Sequence, residues 1–409
     1  MTSTRTRKIE IGRGESTVNS EETTGGQSEV NKVPVWPQPK SVKFNVMVPW
    51  ITEEDVSAVA QTVSTGWVGH LSPSVRDFEG GLSEYLGVPV RTVSNGSVAL
   101  SLALAALDVG RGHSVLVPSF AYAAVASAVV RAGATPVFCD VDYDTWQISA
   151  RDIAAKIDES TRALIMPHSY GVCGEIEAIQ GLCRSKGIHL IEDVAEAFSG
   201  KFGEKKLGSF GDVATFSFFP NKLITTGEGG AVAATNQDLI ERIELLRGQG
   251  MSSSHRYWFL EPGFNFRMSG MQAALGHSQL KRIDQIREAR EEVEERYDAL
   301  LNDLLVRPRA LLECNRAPWL YSATLKVVNS VEILLSIAKD LADHGYETRP
   351  LFYPLESMPA FNRHSNGDVS PESLRISRIG LSLPSSHLVK SSDQVRIASI
   401  IRKRVEKDV

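Results

Sequence analysis

The chain has little cysteine and no strong excess of charge of either sign. Its four cysteines among 409 residues, Cys139, Cys173, Cys183 and Cys314, form no C-x-x-C pair and stand at no zinc-ligand spacing from a histidine. That excludes a disulfide framework and a sequence-encoded zinc site, and it predicts buried thiols in a cytoplasmic protein. Lys plus Arg is 44 and Asp plus Glu is 49, a net charge of −5, so nothing general draws the chain to nucleic acid or an anionic membrane. No apolar run is long enough to span a bilayer, since the small-residue stretch Ala121–Val130 stops at Arg131. The start, MTSTRTRK, lacks the apolar core of a signal peptide. No G-x-x-x-x-G-K-[ST] occurs, which excludes a Walker-type phosphate loop.

What is present is a globular composition, 42% hydrophobic and 23% charged, ample for a large core without staples. Residues 1–35 carry no aromatic side chain and are rich in Ser, Thr, Glu, Gly and Lys; they read as a flexible leader. Beyond it, short apolar strands (114–117, 136–141, 163–167, 189–191) alternate with helical segments (53–63, 98–107, 122–131, 175–185). Such alternation predicts an α/β fold with a mostly parallel sheet covered by helices. The expected large domain is 45–276. A smaller C-terminal α/β domain, 277–409, should open with one long helix over 279–304, whose charges are expected to form a solvated face. It continues with a strand over 323–328 and helices over 331–342 and 395–402.

Four features carry chemistry. Ser94-Asn95-Gly96-Ser97 precedes a helix, where free N–H groups and the helix dipole favour an anion; the same turn also serves as a plain cap. Glu192-Asp193 ends a buried strand, the edge of an open α/β sheet at which ligands sit, although an Asp there also caps turns. Lys222 follows the aromatic strand Thr215–Phe219, and burial there would lower its pKa and prepare it for Schiff-base chemistry; a snorkelling surface lysine is the bland alternative. Thr225-Thr226-Gly227-Glu228-Gly229-Gly230 then lets backbones approach closely beside that amine.

The order SNGSVALSLAL, VPSFAYAAVASAV, GATPVFCDVD, HSYG, IEDVAEAF, GSFGDVATFSFFPNKLITTGEGG, RYWF, FNFRMSGMQAALG and GLSLPSS resembles the DegT/StrS-type sugar aminotransferases. The likeness covers about residues 45–400. It implies a pyridoxal 5′-phosphate (PLP) enzyme of fold type I, a transferase with a homodimeric, shared active site. By motif position, Lys222 matches the lysine that bonds to PLP and then moves protons, and Asp193 matches the acid that keeps the pyridine nitrogen protonated. Gly96, Ser97 and Ser217 match the phosphate-binding groups, and Tyr122 the aromatic residue stacked on the ring. Asn265 matches an asparagine that reaches the phosphate of the neighbouring subunit.

Glu196 stands where many members of the family carry Gln or His. With Gly248-Gln249-Gly250 and Arg256-Tyr257-Trp258-Phe259, it resembles the GDP-perosamine synthase branch, which aminates nucleotide-linked 4-keto sugars. Glu356 departs from that branch, which carries histidine there, in a segment expected to touch substrate. The implied reaction moves an amino group from an amino acid, L-glutamate, to a keto sugar linked to a nucleotide, GDP included. An aminotransferase of a cyclitol ketone stays open. A PLP-dependent sugar dehydratase and a non-catalytic regulator rank lower, because that dehydratase branch replaces the lysine by histidine and because Lys222, Asp193 and Ser217 are intact.

Overall fold

Short apolar segments become the strands of one central sheet. In the computed structural model, which describes residues 33–326, 330–365 and 367–408, residues 36–409 form one compact unit. Residues 1–32 of the expected leader and Val327–Val328 of one expected strand lie outside the described residues. The strands of the first part are β1 (Val90–Val93), β2 (Ser114–Pro118), β3 (Thr135–Cys139), β4 (Thr161–Pro167), β5 (His189–Asp193), the short β6 (Lys201–Phe202) and β7 (Lys205–Lys206), β8 (Val213–Ser217) and β9 (Gly230–Ala234). Apart from β6 and β7 they form a seven-stranded sheet in the order β1-β9-β8-β5-β4-β2-β3. Only β9 runs against the rest.

Helices α1 (Glu53–Ser64) and α2 (Pro73–Leu86) precede the sheet; α3 (Gly96–Ala106), α4 (Ala124–Arg131), α5 (Ala150–Lys156), α6 (Ile176–Lys186) and α7 (Gln237–Arg247) are interleaved with it. The strands read as continuous apolar runs because both faces are covered: every residue of β2 and β9 is buried. The period of two then sorts neighbours into separate cores. Val115, Val117, Ile165 and Ile191 enter one, whereas Leu116, Leu164 and Leu190 enter the other.

The remaining chain contains α8 (Gly270–Leu280), α9 (Ile283–Leu301), β10 (Leu305–Val306), β11 (Cys314–Asn315), β12 (Ser322–Leu325), α10 (Val331–Asp343), β13 (Arg349–Pro350), α11 (Pro371–Ile379), β14 (Gly380–Ser382) and α12 (Ser391–Asp408). An antiparallel sheet β10-β12-β14-β13 packs with α9, α10 and α12 around Tyr297, Ile337, Leu341, Ile397 and Ile401. Strand β11 instead pairs with β6, whose other neighbour is β7.

The long helix expected over 279–304 is two helices. Arg282, at φ −119 and ψ 24, breaks it, and residue 276, the expected domain boundary, lies inside α8. The break has a cause: Arg282 Nη2 and Gln279 Nε2 both donate to the buried Asp55 Oδ2 of α1, each at 2.6 Å. Nor are the charges of α9 all solvated, since Arg290 and Glu294 are buried. Helix α4 starts at Ala124, not Tyr122. All four cysteines are free and buried, and among the described residues no His/Cys/Asp/Glu cluster could hold a metal. No described helix is long and apolar enough to cross a membrane.

Strand β5 separates its two carboxylates by alternation. Glu192 is fully buried and accepts from the N–H groups of Gly208 at 2.8 Å and of Phe210 and Gly211 at 2.7 Å. Its Oε2 also lies 3.1 Å from His168 Nε2. Glu192 is therefore scaffold, and Asp193 is left for the cavity. Glu192→Ala strands three buried donors, each worth about 1–3 kcal/mol, so unfolding in urea should show a loss of at least about 3 kcal/mol. Glu192→Gln, which keeps the shape and one acceptor, should lose less.

Candidate active site

The carboxyl ends of the parallel strands open on a cavity of about 600 Å³, the place where open α/β sheets bind ligands. Seven of the eight expected residues line it: Gly96, Ser97, Tyr122, Asp193, Glu196, Ser217 and Lys222. The eighth, Asn265, is exposed outside this lining and accepts from Arg267 Nη2 at 3.2 Å.

Local rules place each group. Asn95 caps α3 by accepting from Val98 N at 3.0 Å, which leaves the N–H groups of Gly96 and Ser97 without intrahelical partners at the positive end of the helix. A Cβ at Gly96 would stand 2.7 Å from Ser217 Cβ, so only glycine lets the helix start lie against the end of β8. Together these groups form a cradle suited to a phosphate. Tyr122 lies 63% exposed at the mouth, its ring 6.1 Å from that of Phe352.

The other end of the cavity concentrates charge. Lys222 Nζ lies 3.9 Å from Glu196 Oε1, with both side chains almost enclosed, and 4.2 Å from the centre of the Trp319 ring. Burial lowers the Lys222 pKa against the pull of Glu196 and Asp193, and the cations Arg349 and Arg290 add to the lowering. Burial raises Asp193, which keeps a 3.1 Å bond from Ala195 N. Burial also pushes Glu196 up to about 7.

Glu196 is aimed by its neighbours. Its Oε2 accepts from Tyr170 N at 2.9 Å, and Tyr170 holds the left-handed conformation, φ 54, uncommon for a bulky aromatic residue. The Tyr170 hydroxyl accepts from Phe352 N at 3.0 Å, and Gly171 packs so closely that a Cβ would meet Ala317 O at 1.9 Å.

Several lining residues had no role assigned from sequence: His168, Asn221, Trp319, Arg349 and Phe352. His168 and Asn221 stand in the HSYG and GSFGDVATFSFFPNKLITTGEGG motifs, and Arg349 and Phe352 in the stretch just before Glu356; Trp319 stands in none of these. Of the segment expected to touch substrate, Arg349, Pro350 and Phe352 line the cavity, while Glu356 lies outside that lining. It is 3% exposed, and its Oε1 accepts from Ser119 Oγ and Ser370 N at 2.8 Å, so it ties loops together behind the site.

The donor set fits PLP on its own chemistry. The cradle offers N–H groups and hydroxyls for a phosphate, Asp193 offers a buried carboxylate for a cationic ring nitrogen, and Lys222 offers an amine 3.9 Å from Glu196. The fold agrees. The aminotransferase TlmJ from Streptoalloteichus hindustanus matches with a TM-score of 0.83 at 29% identity, over 89% of this chain and 99% of that one. Fold and cavity thus define a fold type I, PLP-dependent aminotransferase. The sequence signature of the DegT/DnrJ/EryC1/StrS aminotransferase family matches residues 49–402, and the chain belongs to that family.

Two relatives show its breadth. GDP-perosamine synthase of Caulobacter vibrioides is 36% identical over 88% of this chain and 97% of its own length. L-glutamine:2-deoxy-scyllo-inosose aminotransferase of Streptomyces fradiae is 32% identical over 79% of this chain and 78% of its own.

Two tests follow from this geometry. Gly96→Ala should push Ser217 out of the cradle at a cost of about 1–3 kcal/mol, weakening PLP binding roughly tenfold or more in equilibrium dialysis. In the cofactor-free protein, Glu196 should be protonated below about pH 7 and ionised above it. A protonated-carboxyl infrared band should therefore fade as pH rises through that value, and Glu196→Gln should remove the transition.

Proposed function

We propose that the chain transfers an amino group from an amino acid, L-glutamate, to the ketone of a nucleotide-linked sugar, with GDP as a candidate nucleotide. The observation that carries this reading is the enclosed amine of Lys222, set beside Glu196 and Asp193 in the cavity that α3 enters by its N-terminus. The likeness to GDP-perosamine synthase supports the acceptor class. PLP, when bound, supplies the carbonyl that carries the amino group and a ring that draws electrons from the carbon being deprotonated.

The residues divide the remaining work. Gly96, Ser97 and Ser217 would hold the phosphate with N–H and hydroxyl donors, and Tyr122 would supply an aromatic face for the ring. Asp193 would keep a proton on the ring nitrogen, a pairing that would offset the cost of its own burial. Glu196 offers a proton near neutral pH beside Lys222. The Lys222 amine, whose pKa burial lowers, would take the proton from the donor's Cα and give it back, as general base and then acid. Arg349, the cation of the lining nearest in effect to Lys222, receives the donor's carboxylate.

The site is completed by a second copy of the chain. Tyr257, Trp258, Phe259 and Leu260 are 73, 65, 55 and 61% exposed in succession, more apolar surface than an isolated chain leaves in one segment. Asn265, exposed in its own chain, reaches the phosphate cradle of the partner. The Streptomyces fradiae relative supports a second acceptor class, a cyclitol ketone.

Lys222→Ala should abolish both the visible absorption of the PLP-loaded protein and turnover, with the fold unchanged by circular dichroism. Asp193→Asn should still bind PLP but lose several orders of magnitude in rate. L-Glutamate should bleach the visible band of the native protein, and keto sugars screened against the bleached form should restore it. Restoration by a free cyclitol ketone and not by nucleotide-linked sugars would replace the proposed acceptor.

A further inference from the structure

The turn that carries Lys222 is held from outside the central sheet. Residues 218–229 join β8 to β9 without regular structure, and Lys222 N donates to Phe219 O at 2.9 Å. The carbonyls around the lysine are taken by side chains from distant parts of the chain. Trp319 Nε1 donates to Asn221 O at 3.0 Å. Arg290 Nη2, from α9, donates to Lys222 O at 2.6 Å and to Leu223 O at 3.4 Å.

Arg290 is an expensive way to make those bonds. It is 5% exposed, and among the described residues no carboxylate lies within ion-pair distance of it. Glu294, the acid that most favours its charge, is itself bound by Arg307. Its Nη1 is buried without a protein acceptor, and burial pulls its pKa down to about 10. A guanidinium buried without a carboxylate partner destabilises a fold, and a helix that needed only packing would carry Leu or Met at this position. The charged groups that act on Lys222 are Glu196 and Asp193, which favour its protonated form, and Arg349 and Arg290, which oppose it.

We propose that Arg290 is the positioning residue for Lys222. From α9 it pins the main chain of the reacting lysine through two carbonyls and sets a fixed cation behind it, while Trp319 pins the preceding carbonyl and lies against the amine. The inference rests on Lys222 being the reacting amine. A reactive side chain on an irregular turn needs such fixing, because a displacement of about 1 Å costs roughly 10²-fold in rate.

The test compares Arg290→Met, Arg290→Gln and Arg290→Lys with the native chain in three measurements. Borohydride trapping followed by peptide mass mapping should place PLP on Lys222 in the native protein; a label elsewhere overturns the assignment of Lys222 itself, separately from that of Arg290. In the cofactor-free proteins, the pH dependence of Lys222 acylation reports how readily the amine loses its proton. Steady-state rates with the amino donor give kcat and KM.

Arg290→Met should lower kcat roughly 10²-fold, leave donor KM within about twofold, and move the acylation profile to higher pH. Arg290→Lys, which keeps the charge, should restore the profile. Arg290→Gln, which keeps an N–H for the carbonyl but not the charge, should restore part of kcat and not the profile. A folded Arg290→Met with native kcat and native profile overturns the proposal, as does a fall in kcat that tracks only lost stability. If Arg290→Met does not fold, Arg290→Gln decides by the same two readouts.

Discussion

An amine held out of water is the constraint around which the site is arranged. Lys222 Nζ faces Glu196 Oε1 at 3.9 Å, beyond hydrogen-bond reach, so its charged form loses hydration without regaining it in full. Two carboxylates oppose that loss, and two arginines and the cavity wall add to it. The outcome is an amine that gives up its proton more easily than a surface lysine, which is what proton transfer at a carbon acid requires. Around it each group has a fixed address: Asp193 ends β5, Ser217 ends β8, and Gly96 opens α3.

The central sheet supplies those addresses by alternation. On β5, Glu192 turns to the scaffold side, where it gathers the backbone of residues 208–211 and His168. Asp193, one residue on, is freed for the cavity. The rest of the chain supplies rigidity from the other side. Tyr170 aims Glu196, Arg290 and Trp319 hold the lysine turn, and Glu356 braces the loops behind. The site is therefore a junction between the sheet ends and elements that come much later in the chain.

Much of this was legible beforehand. The strands β2, β4 and β5 and the helices α1, α3 and α6 fall within a few residues of where apolar runs and caps put them, because those signals are local. The cradle and Asp193 stand at a helix start and strand ends, and Lys222 on the turn that follows β8, so the motifs of the resemblance, which follow these local features, grouped them beforehand. The break at Arg282 was not legible. Helical periodicity continues through Lys281 and Arg282, and only the buried Asp55, more than 200 residues earlier in the chain, explains why the helix ends there. The place of Glu356 was not legible for a related reason: its neighbours Arg349, Pro350 and Phe352 line the cavity, whereas its distant partner Ser119, with Ser370, holds it outside that lining.

By itself the sequence determined the α/β class, which rests on period and capping, and its resemblance to a family, carried by the order of short motifs, pointed to the sheet-end chemistry and the lysine; all of these are properties of adjacent residues. Tertiary structure alone decided which of two neighbouring carboxylates faces the cavity, that Trp319 lies against the amine, and that Arg290 is spent in the interior. A charged residue on a helix reads as solvated until the fold shows what covers it, because burial is a property of distant segments packing together.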